Sequence, residues 1–141
     1  MSSVLSIAAS GLAAASLRLQ VSADNVANAD SDGPSPSASA AVQAQYQPAQ
    51  YLPAYVAQQI NQVATLGGGT KAVVSNAQPG TVTAYDPTAP YADQNGEVTA
   101  PNVNITNEAV QHALASYQFL ANVDVMSTYS KMMQALLDIQ T

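Results

Sequence analysis

The feature of this sequence that most constrains its fold is a seven-residue apolar repeat near each end of the chain. At the N-terminal end, the repeat steps by three and four residues through Leu5, Ala8, Leu12, Ala15, Leu19, Ser22 and Val26. Such spacing places these side chains along one stripe of an α-helix. No proline interrupts the pattern, which predicts one helix over residues 3–28, roughly 40 Å long at 1.5 Å per residue.

The C-terminal segment predicts a second long helix, which starts at Thr106 or Asn107 and ends near Ile139. Asn104 or Thr106 can cap it, and Glu108 lies in the first turn, where the helix dipole favours a negative charge. Two apolar stripes are more than one partner helix covers, which indicates a bundle or a polymer of bundles. One stripe contains Val125, Tyr129, Met132, Leu136 and Ile139, and the other Phe119, Val123, Met126, Ser130, Met133 and Leu137.

The middle of the chain predicts a small β-rich segment. Residues 42–47 (VQAQYQ) alternate as a half-buried strand does, whereas residues 54–66 fit a short helix nearly as well as a strand. Two β-branched runs, 70–76 and 80–86, lie next to glycine-rich and Pro-Gly turn signals, so we expect two to four short strands. Gly33 is expected to end the first helix in a left-handed conformation.

These patterns predict an α+β fold in which two long terminal helices pair as a coiled-coil-like bundle around a partly irregular β-rich middle. The expected division is an N-terminal helix at 1–29, a flexible linker at 30–41, a β-rich segment at 42–85, a connector at 86–105 and a C-terminal helix at 106–141.

Charge and composition exclude several classes of partner. The net charge is −6, and the basic residues are Arg18, Lys71 and Lys131. Binding to nucleic acid or to an anionic membrane needs clustered Lys and Arg, so neither is expected. The chain has no Cys, no positive region before its first apolar run, and no stretch that reaches the roughly 18 apolar residues of a membrane span. We therefore expect no cleaved signal peptide and no direct membrane insertion.

The stretch DPTAPYADQNGEVTAPNVN, residues 86–104, allows two interpretations. It has the Asp, Asn and Gly composition of a calcium loop, but with Gly96 at the sixth position of such a loop, Tyr91 and Asn102 occupy its two anchoring positions. The sequence instead favours a turn at Asn95–Gly96 and an extended piece fixed by Pro101. This interpretation makes the stretch a rigid connector to the last helix.

Other chemistry-bearing residues form no catalytic pattern. His112 is the single histidine, and the glycine run before Lys71 lacks the order of a phosphate-binding loop. Asp93 and Glu97 could form an acid/base pair, but no apolar surroundings separate their pKa values, so a solvated turn is expected. The sequence therefore predicts no metal, no cofactor and no small-molecule substrate.

Both ends of the chain resemble the flagellar basal-body rod and hook proteins. Residues 6–33 contain an Ala/Ser-rich helix that runs into Asn25-Val26-Ala27-Asn28-Ala29, an N-[IV]-A-N-A element of that family. Residues 85–139 are similar to the C-terminal end of a proximal rod protein. The matching positions are Asp86, Pro87, Pro90, Ala92, Asp93, Gly96, Val98, Pro101, Asn102, Val103 and Asn104, then Ala115 or Ser116, followed by Tyr117, Ala121, Asn122, Val123, Val125, Lys131, Met132 and Met133.

The resemblance implies a structural subunit of the periplasmic rod, exported by the flagellar type III apparatus without a cleaved signal. Its partners would be copies of itself and other rod proteins. The alternative is a small secreted binding domain or a wall-degrading enzyme. The expected assembly interface comprises Leu5, Leu12, Leu19, Asn25, Val26, Asn28, Tyr117, Asn122, Val123, Val125, Met126, Tyr129, Met132, Met133 and Leu136. The expected connector residues are Asp86, Pro87, Asp93, Gly96, Pro101, Asn102 and Asn104.

Overall fold

A computed structural model describes residues 4–46 and 53–139 of the chain. The fold is α+β, as predicted, with long helices at both ends and a small β-rich middle. The elements in chain order are α1 (Val4–Ala27), β1 (Gly33–Pro34), α2 (Ala40–Gln45), β2 (Gln58–Ala64), β3 (Thr70–Asn76), β4 (Thr81–Tyr85), β5 (Glu97–Pro101) and α3 (Ile105–Asp138).

The chain forms two compact units, each made of segments that are distant in sequence. The first unit contains the described residues of Met1–Ala23, Ile60–Val74 and Ala109–Thr141. The second contains those of Asp24–Gln59 and Ser75–Glu108.

In the first unit, α1 and α3 pack against each other in opposite directions. Gly11 lies against the side chain of Asn122, and the Arg18 guanidinium donates a hydrogen bond to Gln118 Oε1 at 3.4 Å. The side chains buried in this unit are mostly small, which lets the two helices approach closely. They are Ala8, Ala14, Ala15, Val21, Ser22 and Ala115.

The second unit is built on a three-stranded antiparallel sheet in the order β1-β5-β4. Val98 is central to it, because it pairs with Pro34 on one side and with Ala84 on the other and is fully buried. The strands β2 and β3 form a separate two-stranded sheet. The prediction of short strands between the helices is therefore confirmed.

The prediction of a strand at residues 42–47 is wrong, because α2 covers Ala40–Gln45. The Ser39 hydroxyl caps this helix by accepting a hydrogen bond from the Val42 N–H at 3.3 Å, and Gln47 lies outside the described residues. A side-chain cap that satisfies a free N–H of the first turn stabilises the helix despite its alternating pattern.

Gly33 does not adopt the expected left-handed conformation, because it pairs with Thr99 as part of β1. The first helix ends earlier, in a turn where the Asn28 N–H still bonds to the Asp24 carbonyl at 3.1 Å. A Cβ on Gly33 would lie 2.4 Å from the backbone nitrogen of Ala54. Glycine is therefore required here by the close approach of a neighbouring backbone.

Within the described residues, α1 is long and apolar enough to cross a membrane by length and composition alone. The sequence-based statement that no segment reaches this limit was therefore too strong. The same test is passed by core helices of soluble proteins and by signal sequences near the N-terminus. It does not assign a membrane role to α1.

Candidate functional site

The surface of α3 in the first unit carries many accessible apolar side chains. Of all its described residues, Ala115 alone is buried, and the large apolar side chains remain accessible. Contiguous exposed apolar surface is typical of protein–protein interaction sites. Those side chains that are clearly exposed are Val110, Leu114, Tyr117, Leu120, Val123, Val125, Met132, Met133, Leu136 and Leu137.

An open apolar groove lies where the start of α1 meets the second half of α3. Its volume is about 460 Å³. The lining side chains are Val4, Asp124, Val125, Thr128, Tyr129 and Met132. Residues of α3 beyond Met132, including Leu136 and Leu137, do not line this groove and are exposed on the helix surface. The apolar surface of α3 is therefore longer than the part that α1 covers.

The structure places the residues of the predicted assembly interface in three environments. Exposed positions are Leu5, Val26, Tyr117, Val123, Val125, Met132, Met133 and Leu136. Half-buried positions are Leu12, Leu19, Asn28, Asn122, Met126 and Tyr129. Asn25 alone among them is buried, at 1 % exposure.

Asn25 is surrounded by hydrogen-bond partners inside the second unit. Its Nδ2 donates to the Gln58 carbonyl oxygen and to Glu108 Oε1, both at 2.8 Å. Its Oδ1 accepts from the Tyr55 hydroxyl and from the Gln58 N–H, both at 3.0 Å. The amide of Asn25 is therefore engaged inside its own unit, and its place in an assembly interface stays a prediction.

The connector places Gly96 at a turn between β4 and β5. Gly96 has a φ of +77°, and its carbonyl accepts a hydrogen bond from the Asp86 N–H at 2.9 Å. A Cβ at this position would lie 2.9 Å from Tyr85 Cε2 and 3.0 Å from Pro87 Cβ. The turn expected at Asn95–Gly96 therefore uses a backbone conformation that favours glycine, and it has no space for a side chain.

Asp93 holds this turn through its carboxylate. Oδ1 accepts from the Asn95 N–H at 2.8 Å and from the Glu97 N–H at 2.9 Å, and Oδ2 accepts from the Ser37 hydroxyl at 2.8 Å. These bonds, first of all that from Glu97, hold the pKa of Asp93 below its ordinary value. A carboxyl that is kept ionised by hydrogen bonds from backbone N–H groups is unsuited to act as a general acid.

A second carboxylate, Asp86, acts in the same way at the other end of the turn. Its Oδ1 accepts from the Thr88 hydroxyl at 2.6 Å and from the Thr88 N–H at 3.0 Å, which lowers the pKa of Asp86. The pKa of Asp32 is shifted in the opposite direction. Burial is the main cause of this increase, and the negative charges of Asp30 and Asp86 add to it.

The far end of the connector leads into α3 through specific backbone contacts. Pro101 is buried as the last residue of β5, and the Asn102 side chain donates to the Pro79 carbonyl at 2.8 Å. Asn104 caps α3, since its Oδ1 accepts from the Asn107 N–H at 3.0 Å. Both the predicted cap and the predicted first-turn position of Glu108 are confirmed.

The sequence patterns did not predict the helix contact at Gly11. They also did not predict the hydrogen bonds of Asn25 to Tyr55, Gln58 and Glu108. A glycine inside an Ala/Ser-rich helix does signal a close helix contact, and Gly11 could have been found in this way. The Asn25 partners lie 30 to 83 residues away along the chain, and no local pattern links them.

Long terminal helices with unburied apolar faces, joined through a small β unit, define a structural subunit built for association. Residues 5–34 match the family model described as "Flagella basal body rod protein". Residues 94–139 match that described as "Flagellar basal body rod FlgEFG protein C-terminal".

Curated relatives are similar to this chain over most of its length. A protein named flagellar basal-body rod protein FlgC from Salmonella typhimurium strain LT2 is 37% identical over 132 residues, which cover 92% of this chain and 90% of the relative. FlgC of Yersinia enterocolitica is 36% identical over 130 residues, with the same two coverages. FlgC of Buchnera aphidicola subsp. Schizaphis graminum is 31% identical over 139 residues, covering 96% of this chain and 95% of the relative. The chain belongs to the flagellar basal-body rod protein family and is similar to FlgC.

Proposed function

We propose that this chain is a structural subunit of the flagellar basal-body rod that associates through its terminal helices with copies of itself and with other rod proteins. The relatives, all named as basal-body rod proteins, support the structural role. The observation that carries the proposed mode of association is the surface of α3, where Ala115 is the single buried residue among those described. An apolar helix face of this kind is stabilised when a neighbouring helix covers it.

The groove at the start of α1 is the proposed contact for a neighbouring helix. Its lining surface is almost entirely apolar, although Asp124 and Thr128 are among the lining residues. A second copy of the chain offers a matching element, the exposed continuation of α3 beyond Met132. Contacts of one surface with a different surface on the next copy generate an open helical assembly, which suits a rod.

The finer details follow from the family and belong to the same proposal. The subunit would lie in the proximal, periplasmic part of the rod and reach it through the flagellar export apparatus without a cleaved signal. The alternative of a wall-degrading enzyme has no support among the relatives, and the Asp93 carboxylate that it would require is engaged in a turn.

A charge placed on the exposed face of α3 tests the mode of association. Leu136 is 58% exposed, so Leu136→Asp should change the stability of the isolated chain by no more than about 0.5 kcal/mol. Burying the introduced charge at a dry contact costs several kcal/mol, so the variant should abolish rod assembly and motility. The measurement is complementation of a deletion strain, with imaging of isolated basal bodies.

Gln134→Asp is the matched control, because it adds the same charge to an exposed polar position two residues away. It should complement the deletion. Normal motility with Leu136→Asp would contradict the proposed role of α3. Failure of the unaltered chain to complement in its own species would instead contradict the assignment as a rod subunit.

A further inference from the structure

The amide of Asn25 uses all of its hydrogen-bonding capacity. A primary amide has two N–H donors and an oxygen with two acceptor positions. The contacts with Gln58, Glu108 and Tyr55 fill both donors and both acceptors. Since burial of an unpaired polar group is costly, saturation of this kind is what allows an amide to be 1 % exposed.

These bonds join three segments of the second unit that are far apart in sequence. Asn25 lies in the last turn of α1, Gln58 begins β2, and Glu108 lies in the first turn of α3. The bond to Gln58 spans 33 residues and that to Glu108 spans 83. One side chain therefore connects three segments that no local interaction could hold together.

The two groups that face Nδ2 are both acceptors, and one of them is a carboxylate. An aspartate would present an oxygen to the Gln58 carbonyl and to Glu108 Oε1, and would lose both donated bonds. The titratable groups around the site are Glu108 on α3, Asp24 on α1 and the Tyr55 hydroxyl, whose pKa is raised by burial and then by those two carboxylates. None of these groups is a cation that could compensate an added negative charge.

We propose that Asn25 is an internal lock of the second unit, a positioning residue that accepts only a neutral amide because Glu108 and the Gln58 carbonyl face its nitrogen. Its place in the family element Asn25-Val26-Ala27-Asn28-Ala29 is then explained by the folding of the subunit and not by a contact between subunits. The proposal does not depend on what the assembled subunit binds, because the isolated chain can be tested.

The test compares Asn25→Asp with the matched variant Asn28→Asp in the isolated full-length chain. Asn28 is half-buried and donates to the Asp24 carbonyl at 2.8 Å, so it receives the same change of charge one turn away without facing a carboxylate. At pH 7, Asn25→Asp should raise the unfolding constant by about tenfold to a hundredfold, and Asn28→Asp by less than about threefold. Urea unfolding followed by circular dichroism measures both.

Two further measurements distinguish the lock from a general loss of packing. Glu108→Gln in the Asn25→Asp background replaces the opposing carboxylate by an amide that can donate, so it should recover part of the lost stability. Glu108→Gln alone should have little effect, because its carbonyl oxygen still accepts from Asn25. Lowering the pH from 7 to 5 should also shrink the defect of Asn25→Asp relative to the unaltered chain, since protonation of the buried carboxyl removes its charge and restores one donor.

If Asn25→Asp yields no folded chain at pH 7, folding of the double variant is scored instead, and its recovery would support the lock. Equal stability of Asn25→Asp and Asn28→Asp would overturn the proposal. The proposal is also overturned if the double variant is as unstable as Asn25→Asp at both pH 5 and pH 7.

Discussion

Replacing Gly11 by alanine tests how closely α1 and α3 approach. A Cβ at position 11 would lie 2.5 Å from Asn122 Oδ1 and 2.8 Å from both Cγ and Nδ2. The obstacle is the whole amide of a short side chain, which itself donates to the Gln118 carbonyl at 2.7 Å. To make room, Asn122 must leave that hydrogen bond or the helices must separate.

Three terms decide the size of the effect. Alanine in place of glycine favours a helix interior by about 1 kcal/mol. Overpacking costs about 1–3 kcal/mol, and the lost hydrogen bond of Asn122 costs about 1 kcal/mol more. The expected result is a net loss of about 2 kcal/mol in the free energy of unfolding.

A double-mutant cycle isolates the contact. Asn122→Ala removes the obstructing amide, so Gly11→Ala in that background should stabilise the chain by about 1 kcal/mol, the propensity term alone. The assay is urea unfolding of the four proteins by circular dichroism, with the exposed position Ser16→Ala as a control in the same helix. Stabilisation by Gly11→Ala to the same extent in both backgrounds would refute the close approach of the helices.

Three other changes test the second unit. Gly33→Ala should destabilise the chain by more than Gly11→Ala, because its Cβ meets the backbone nitrogen of Ala54 at 2.4 Å; thermal unfolding measures this, and an unchanged melting temperature would contradict it. Gly96→Val should impair both stability and rod assembly, because valine is strained at a φ of +77°. Asp93→Asn keeps the Oδ1 acceptor and should impair both much less. Added calcium should leave the melting temperature unchanged, and a rise of several degrees would contradict the interpretation of residues 86–104 as a connector. The pKa values of Asp93 and Asp86 are lowered in the folded chain, so both carboxylates contribute to stability above the ordinary pKa of 3.8. This stabilisation is lost as the pH falls below that value. The melting temperature should therefore depend less on pH between pH 2 and 6 once both residues are replaced by Asn.

The helices and their ends were predictable from sequence because their causes are local. The seven-residue repeat gave residues 3–28, and α1 covers Val4–Ala27. The cap at Asn104 and the charge at Glu108 gave a start near residue 106, and α3 begins at Ile105. The apolar stripes similarly indicated the surface that the structure leaves uncovered.

The contacts that build the second unit were not predictable, because each joins residues far apart in sequence. A two-residue strand at Gly33 has no periodicity to detect, and its partner Thr99 lies in another part of the chain. The role of Asn25 depends on three groups that only the folded chain brings together. Helix α2 was missed for a different reason, since a cap at Ser39 outweighed an alternating pattern.

The pairing of β1 with β5 sets a limit on when the second unit can become ordered. β1 is near the beginning of the chain, but its partner ends at Pro101, and Glu108 follows later still. A chain that emerges N-terminus first, whether from a ribosome or from a narrow channel, therefore carries β1 unpaired until more than two thirds of the chain has emerged. Contacts of such long range slow folding, because the intervening chain must be ordered before they form. The second unit can therefore complete its fold only once β5 and the first turn of α3 are free to reach the segments that precede them.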